Sequence, residues 1–193
     1  MSTEPHAAPR QALQERVAQA ILEAAARVLL ARGEQASMTD VATAAGVARA
    51  TVYRYFPNRR SLLDELSRSA VLSAGDRLRS ARIDAVPVPD AITRAVRALV
   101  DVGDLFVVLG RERVRPDGEQ FERHVAGPLR ALLERGQAAG EIRGDIPSAW
   151  LTDALIGVVV NVVSSRLQRG REDTVAAITS LYIEGARHTG AAA

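Results

Sequence analysis

The sequence predicts an all-α protein with an N-terminal three-helix segment and a larger C-terminal helical domain. Three observations carry this. Apolar residues recur at steps of three and four almost throughout, and the step-of-two alternation of half-buried strands is nearly absent. Glycines and prolines cut the periodic stretches into helix-sized pieces. In the first third, two short helices meet at a glycine turn, the sequence pattern of a helix-turn-helix.

Element by element, residues 1–10 read as a flexible segment. Leu13, Val17, Ile21, Ala24 and Val28 form the apolar stripe of a helix over 11–32, which ends at Gly33. In SMTDVATAAG, Ser37 or Thr39 can cap a short helix with an inner face of Val41, Ala42 and Ala45, and Gly46 closes it. A third helix near 48–56 stops at Pro57. Asn58 can cap a fourth, carried toward Ala81 by Leu62, Leu63, Leu66, Ala70 and Leu72. The helix-turn-helix domain therefore spans 11–60 and the C-terminal domain 61–189, with a flexible tail at 190–193.

Past IDAVPVPD, whose Pro87 and Pro89 interrupt the chain, a helix over 90–111 carries Ile92, Val96, Leu99, Val102 and Phe106. A short helix follows over 119–125. The chain restarts at Gly127-Pro128 and runs to Gly140. Ser148 can cap a long helix to about residue 168, and a last helix spans 172–187.

Composition limits what such a protein does. With 193 residues it can bury roughly 70% of its unfolded surface. Its 47% apolar and 25% charged residues are ordinary for a globular protein. Cysteine is absent, which excludes disulfides, thiolate metal sites and thiol catalysis and fits a reducing cytoplasm. The start, MSTEPHAAPRQ, lacks a signal pattern, and no apolar run approaches ~18 residues, so no membrane role is expected. Histidines 6, 124 and 188 are scattered without zinc spacing, and no Glu-x-x-His element occurs. No phosphate-cradling Gly-Lys-Ser/Thr loop, nucleophile elbow or dinucleotide fingerprint is present. Neither an enzyme nor a cofactor or metal protein is expected.

Charge distribution points elsewhere. All 25 basic residues are arginine, which an arginine-rich codon usage explains. Between Val41 and Leu63, however, Arg49, Arg54, Arg59 and Arg60 stand with no acid among them. The stretch GVARATVYRYFPNRR also holds Tyr53, Tyr55 and Phe56, three of the chain's seven aromatics. Val47, Val52 and Phe56 suit the core, leaving arginines and hydroxyl-bearing side chains to face outward. Such a helix can donate to phosphates and reach base edges in a DNA major groove. The alternative is a helical ligand-binding or protein-interaction module whose helix-turn-helix no longer binds DNA.

The pieces ILEAAARVLLARG, MTDVATAAGV and TVYRYFPNRRSLL, between Ile21 and Leu63, resemble the DNA-binding domain of the TetR (tetracycline-repressor) family of transcriptional regulators. The resemblance implies that Arg49 and Thr51 face the major groove and that Tyr53 and Tyr55 contact phosphates. Arg59 stands where the family usually has a phosphate-gripping lysine, and Ser37 and Thr39 combine capping with phosphate contact. Arg60 adds charge where an acid is frequent. Ala48 replaces a frequent capping serine, a loss of ~1 kcal/mol. The spacer from Gly33 to Gly46 is one residue shorter than usual, with Glu34 in place of an apolar or aromatic residue.

It also implies a repressor rather than an activator, a homodimer on a near-palindromic double-stranded operator, and release by an unidentified small-molecule effector. Candidate pocket residues are Phe106, Phe121, His124, Trp150, Leu155 and Asn161. LTDALIGVVVNVVSS is apolar nearly all round, so one side can face a second copy of the chain. Val159 and Val163, with Ile178, Leu181 and Tyr182 of the last helix, are the candidate dimer residues, and Asn161 can sit at the same seam.

Overall fold

The computed structural model describes residues 7–165 and 170–187, and every regular element among them is helical. The helices are α1 Ala7–Arg32, α2 Met38–Ala45, α3 Arg49–Tyr55, α4 Arg59–Ser80, α5 Val88–Val100, α6 Gly103–Arg111, α7 Gly118–Phe121, α8 Gly127–Ala138, α9 Ser148–Ser164 and α10 Arg171–Ala186. Residues 1–6, 166–169 and 188–193 lie outside the described chain, and with them His6, His188, the tail and the expected end of the long helix. Residues 7–10, read as a flexible segment, already belong to α1.

The chain divides into two compact units. The first holds the residues up to Ser67 together with Val108–Val114; the second holds Arg68–Val107 and the chain from Arg115 onward. In the first, α1 packs on α2 and α2 on α3. Its buried residues include Ile21, Ala24, Ala25, Val41, Val52 and Phe56. The stripe of α1 is shorter than its periodicity predicts: Val17 and Val28 are half-buried and Leu13 is exposed. A single 3-10 turn over Gly33–Gln35 fills the short spacer, with Glu34 turned to solvent.

In the second unit, α5 packs against α8, α9 and α10, and α9 packs on α8 and α10. Ile92, Ala95, Val96, Leu129, Leu133 and Leu155 sit at the centre of its core. Long side chains tie down its loops. Arg135 donates to the carbonyls of Ile83, Asp84 and Val86, and Gln137 to those of Arg143 and Ile146.

Four boundaries differ from expectation. The helix read over 90–111 begins at Val88, because Pro89 fits its first turn, and breaks between Val100 and Gly103. The carboxylate of Asp101 at that break accepts from Arg77 and Arg171, a tertiary contact that periodicity cannot reveal. Residues 118–138 run on without the expected restart. A π-turn over Glu122–Ala126 carries the chain into α8, and the Gly127 N–H donates to Glu122 O, five residues back. Ser148 does not cap α9; it is the first helical residue, and its Oγ donates to Glu134 Oε1.

Candidate nucleic-acid interface

The turn between α2 and α3 is built from local signals. Ser37 caps α2: its Oγ accepts from the Asp40 N–H at 3.1 Å, and the Asp40 carboxylate accepts from the Ser37 N–H at 2.9 Å. Hydrogen bonds from the Ser37 side chain and backbone, outweighing the opposing effect of partial burial and helped by Arg32, hold the Asp40 carboxyl below the usual carboxylate range. Gly46 ends α2 with φ +67°, a left-handed conformation that glycine adopts without strain. Ala48 then starts α3 with no side-chain cap, as its missing hydroxyl requires.

Val52 and Phe56 point α3 inward, 0% and 5% exposed. The opposite face presents Arg49 and Arg54 to solvent, with Thr51, Tyr53 and Tyr55 half-buried between them. Arg49 donates to Tyr53 Oη at 3.3 Å and lies over the Tyr53 ring, 5.2 Å from its centroid. Arg54 lies over the Tyr55 ring at 5.3 Å. These cation–π contacts leave the guanidinium edges open as donors. Ser37 and Thr39 are exposed at the start of α2, and Asn58 caps α4 by accepting from the Ser61 N–H at 2.8 Å.

The acid-free stretch is not free of acids in three dimensions. Arg60 pairs with Asp64 one turn along α4. Arg59 is held by Glu112, in the turn just after α6, at 2.8 Å, and donates to the Ala36 carbonyl. Arg49 and Arg54 meet no carboxylate among the described residues, so the open positive charge narrows from four arginines to two. Nothing in the local sequence announces Glu112; a contact over 53 residues leaves no periodic trace.

The candidate pocket residues do not converge. Phe106 and Phe121 meet edge to face, 6.3 Å between centroids, and line an apolar cavity of about 40 Å³ with Leu99, Gly103, Ile156 and Val160. His124 lines a separate, larger cavity of about 380 Å³ with Leu78, Arg79, Ile83, Arg123 and Leu132. Leu155 is sealed in the core, Trp150 is 73% exposed, and Asn161 is exposed and donates to the Gly157 carbonyl of its own helix.

The candidate dimer residues differ in exposure. Val159, Ile178 and Tyr182 are buried in the core of their own chain, where the Tyr182 hydroxyl donates to the Leu151 carbonyl at 2.8 Å. Val163 packs so closely on Gly103 that a Cβ there would lie 2.8 Å from it. Of the five, Leu181 alone is an exposed large side chain. An all-round apolar helix does not say which face its own core takes.

Residues 21–66 match the family described as bacterial regulatory proteins, tetR family. The chain is 33% identical, over 70% of its length and 71% of the relative's, to the HTH-type transcriptional repressor LfrR of Mycolicibacterium smegmatis. A crystal structure of the TetR-like transcriptional regulator LfrR from Mycobacterium smegmatis in complex with proflavine is similar at TM-score 0.74 and 26% identity, covering 88% of this chain and 96% of that one. A bacterial regulatory protein in the tetR family from Rhodococcus RHA1 shares the fold at TM-score 0.74 and 19% identity, over 90% and 98% of the two chains.

Proposed function

The chain belongs to the tetR family of bacterial regulatory proteins, and from that premise we propose that it is a homodimeric repressor that leaves its operator when a small molecule enters the larger unit. That it is a DNA-binding transcriptional regulator follows from the family. The operator contacts, the pairing and the effector are our reading.

The observation that carries the reading is the outer face of α3, where Arg49 and Arg54 stand open over two tyrosine rings. We assign Arg49 and Thr51 to base edges and Arg54, Tyr53 and Tyr55 to phosphates, with Ser37 and Thr39 flanking at the start of α2. Arg60, paired with Asp64 yet largely exposed, adds a weaker contact. A single such head offers few contacts, and two heads on a near-palindrome multiply modest half-site affinities.

For the pairing, Trp150 and Leu181 flank the Tyr182–Leu151 hydrogen bond that joins α9 to α10, and both are exposed, at 73% and 64%. These two side chains replace the buried residues at the proposed seam. For the effector, the aromatic and apolar walls of the cavity beside Phe106 and Phe121 offer stacking faces to a flat aromatic molecule such as the proflavine bound by LfrR, and its about 40 Å³ must widen to admit one. No helix among the described residues is long and apolar enough to cross a membrane, in keeping with a cytoplasmic regulator.

The test is selection of bound fragments from the source genome, then titration of the recovered duplex against salt. Specific binding that weakens steeply with salt, and that proflavine reverses while raising the melting temperature of the protein, is the expected result. Indifference to every duplex at low ionic strength overturns the reading in favour of a module that no longer binds DNA.

A further inference from the structure

The link between Arg59 and Glu112 has a geometry that simple surface pairing does not require. Arg59 presents Nη2 and Nε to the two oxygens of one carboxylate, at 2.8 and 3.3 Å, a fork-on-fork arrangement. Its Nη1 donates to the carbonyl of Ala36, the residue before the cap of α2. The Glu112 side chain is 9% exposed and that of Arg59 33%, so the carboxylate lies behind the guanidinium, where dissolved salt screens it poorly.

The backbone that aims Glu112 is also unusual. Arg113, the next residue, has φ +55°, a left-handed conformation that residues with a side chain seldom adopt. The turn is held by hydrogen bonds from the Arg113 N–H to Gly110 O and from the Val114 N–H to Leu109 O, with Val114 buried and Arg111 reaching the Leu30 carbonyl. This closure, common at helix ends, fixes where Glu112 leaves α6.

Building on the DNA-binding reading above, we propose that Glu112 is an electrostatic brake on the operator interface. Its carboxylate answers the charge of Arg59, the arginine at the start of α4 that the sequence analysis sets against a phosphate. A phosphate approaching the exposed edge of Arg59 meets a pair of zero net charge, whereas at Arg49 and Arg54 it meets an open cation. Two of the five guanidinium N–H groups remain for the phosphate, so Arg59 orients the DNA while adding little to affinity. Glu112 thereby sets operator affinity below what the positive face of the helix-turn-helix would otherwise give.

The experiment compares the full-length protein with Glu112→Gln, which keeps an acceptor for Arg59 and removes only the charge, and with Glu112→Asp, which keeps the charge. Each is titrated across a salt series with a duplex selected from a random pool by the unaltered protein. Glu112→Gln is expected to bind about three- to tenfold tighter, with a log–log salt slope steeper by about one per protomer. Glu112→Asp is expected to keep the original slope, and the gain is expected to vanish in the Arg59→Ala/Glu112→Gln pair. Unchanged or weaker binding by Glu112→Gln overturns the proposal, as does a gain that survives loss of Arg59. If the unaltered protein binds no duplex at all, the DNA-binding reading fails first and takes the brake with it.

Discussion

In the helix-turn-helix unit, most of the fixing contacts are short in sequence. Ser37 bonds Asp40, Asn58 bonds Ser61, Arg49 reaches Tyr53, and Arg60 pairs with Asp64. In the larger unit the corresponding ties cross tens of residues: Arg97 to Glu172, Arg171 to Asp101, Tyr182 to Leu151, Arg135 to the carbonyls near Asp84. Outside the ties from Arg59 and Arg111, the first unit is specified largely by rules that act within about one helical turn. The second depends on which faces meet after collapse.

The widest gap between the two should appear on shortening a core side chain. Leu155→Ala, at a site with 0% exposure in the larger unit, is expected to remove about 2–5 kcal/mol of stability in urea titration. Duplex affinity per folded molecule should stay as it was. Loss of specific binding at full occupancy of the folded state would instead show that the units are not separable in this way.

Next in size is a change at the turn itself. Gly46→Val places a β-branched residue at φ +67° and should cost about 1–2 kcal/mol in thermal unfolding, although its Cβ would meet nothing within 4 Å. A neutral result would remove the argument that local backbone conformation defines this unit.

Smaller again is Ser37→Ala, expected to cost ~1 kcal/mol. It also removes the largest cause of the depressed Asp40 pKa, so that carboxyl should titrate higher when followed by NMR. The sign follows from linkage. The folded pKa lies below the unfolded one, so the Asp40 contribution is present above the usual carboxylate range and is lost as pH falls through the folded value. In Ser37→Ala the stability of the first unit should therefore fall off less steeply with acid.

The mildest change is Tyr53→Phe. It deletes a hydroxyl that meets Arg49 at 3.3 Å and is predicted to reach phosphate, so duplex affinity should drop by about 0.5–1.5 kcal/mol with an unaltered melting temperature. Arg59→Ala, by contrast, is no clean probe of DNA contact alone. It strands the Glu112 carboxylate at 9% exposure, and stability should fall together with affinity.

The same division explains what the sequence discloses. The turn at Gly46, the stop at Pro57 and the inward Val52 and Phe56 are all decided by neighbours within a few positions and are legible, as is a cap at Ser37 or Thr39, which the structure gives to Ser37. The break before Gly103 was not: Asp101 there meets Arg77 and Arg171, contacts that no nearby residue announces. Nor could the apolar helix α9 reveal that Val159 faces its own core while Trp150 faces out. At the candidate interface, the outward arginines and tyrosines of α3 could be placed from spacing alone, whereas the acid behind Arg59 arrives from the turn after α6.

Trp150 has one more consequence. It is the only tryptophan in the chain and stands almost clear of the protein on α9. Its emission, red-shifted in water, is therefore a built-in optical gauge with no competing fluorophore of its kind. Burial against a second copy would move the spectrum to shorter wavelength as concentration rises, without any label.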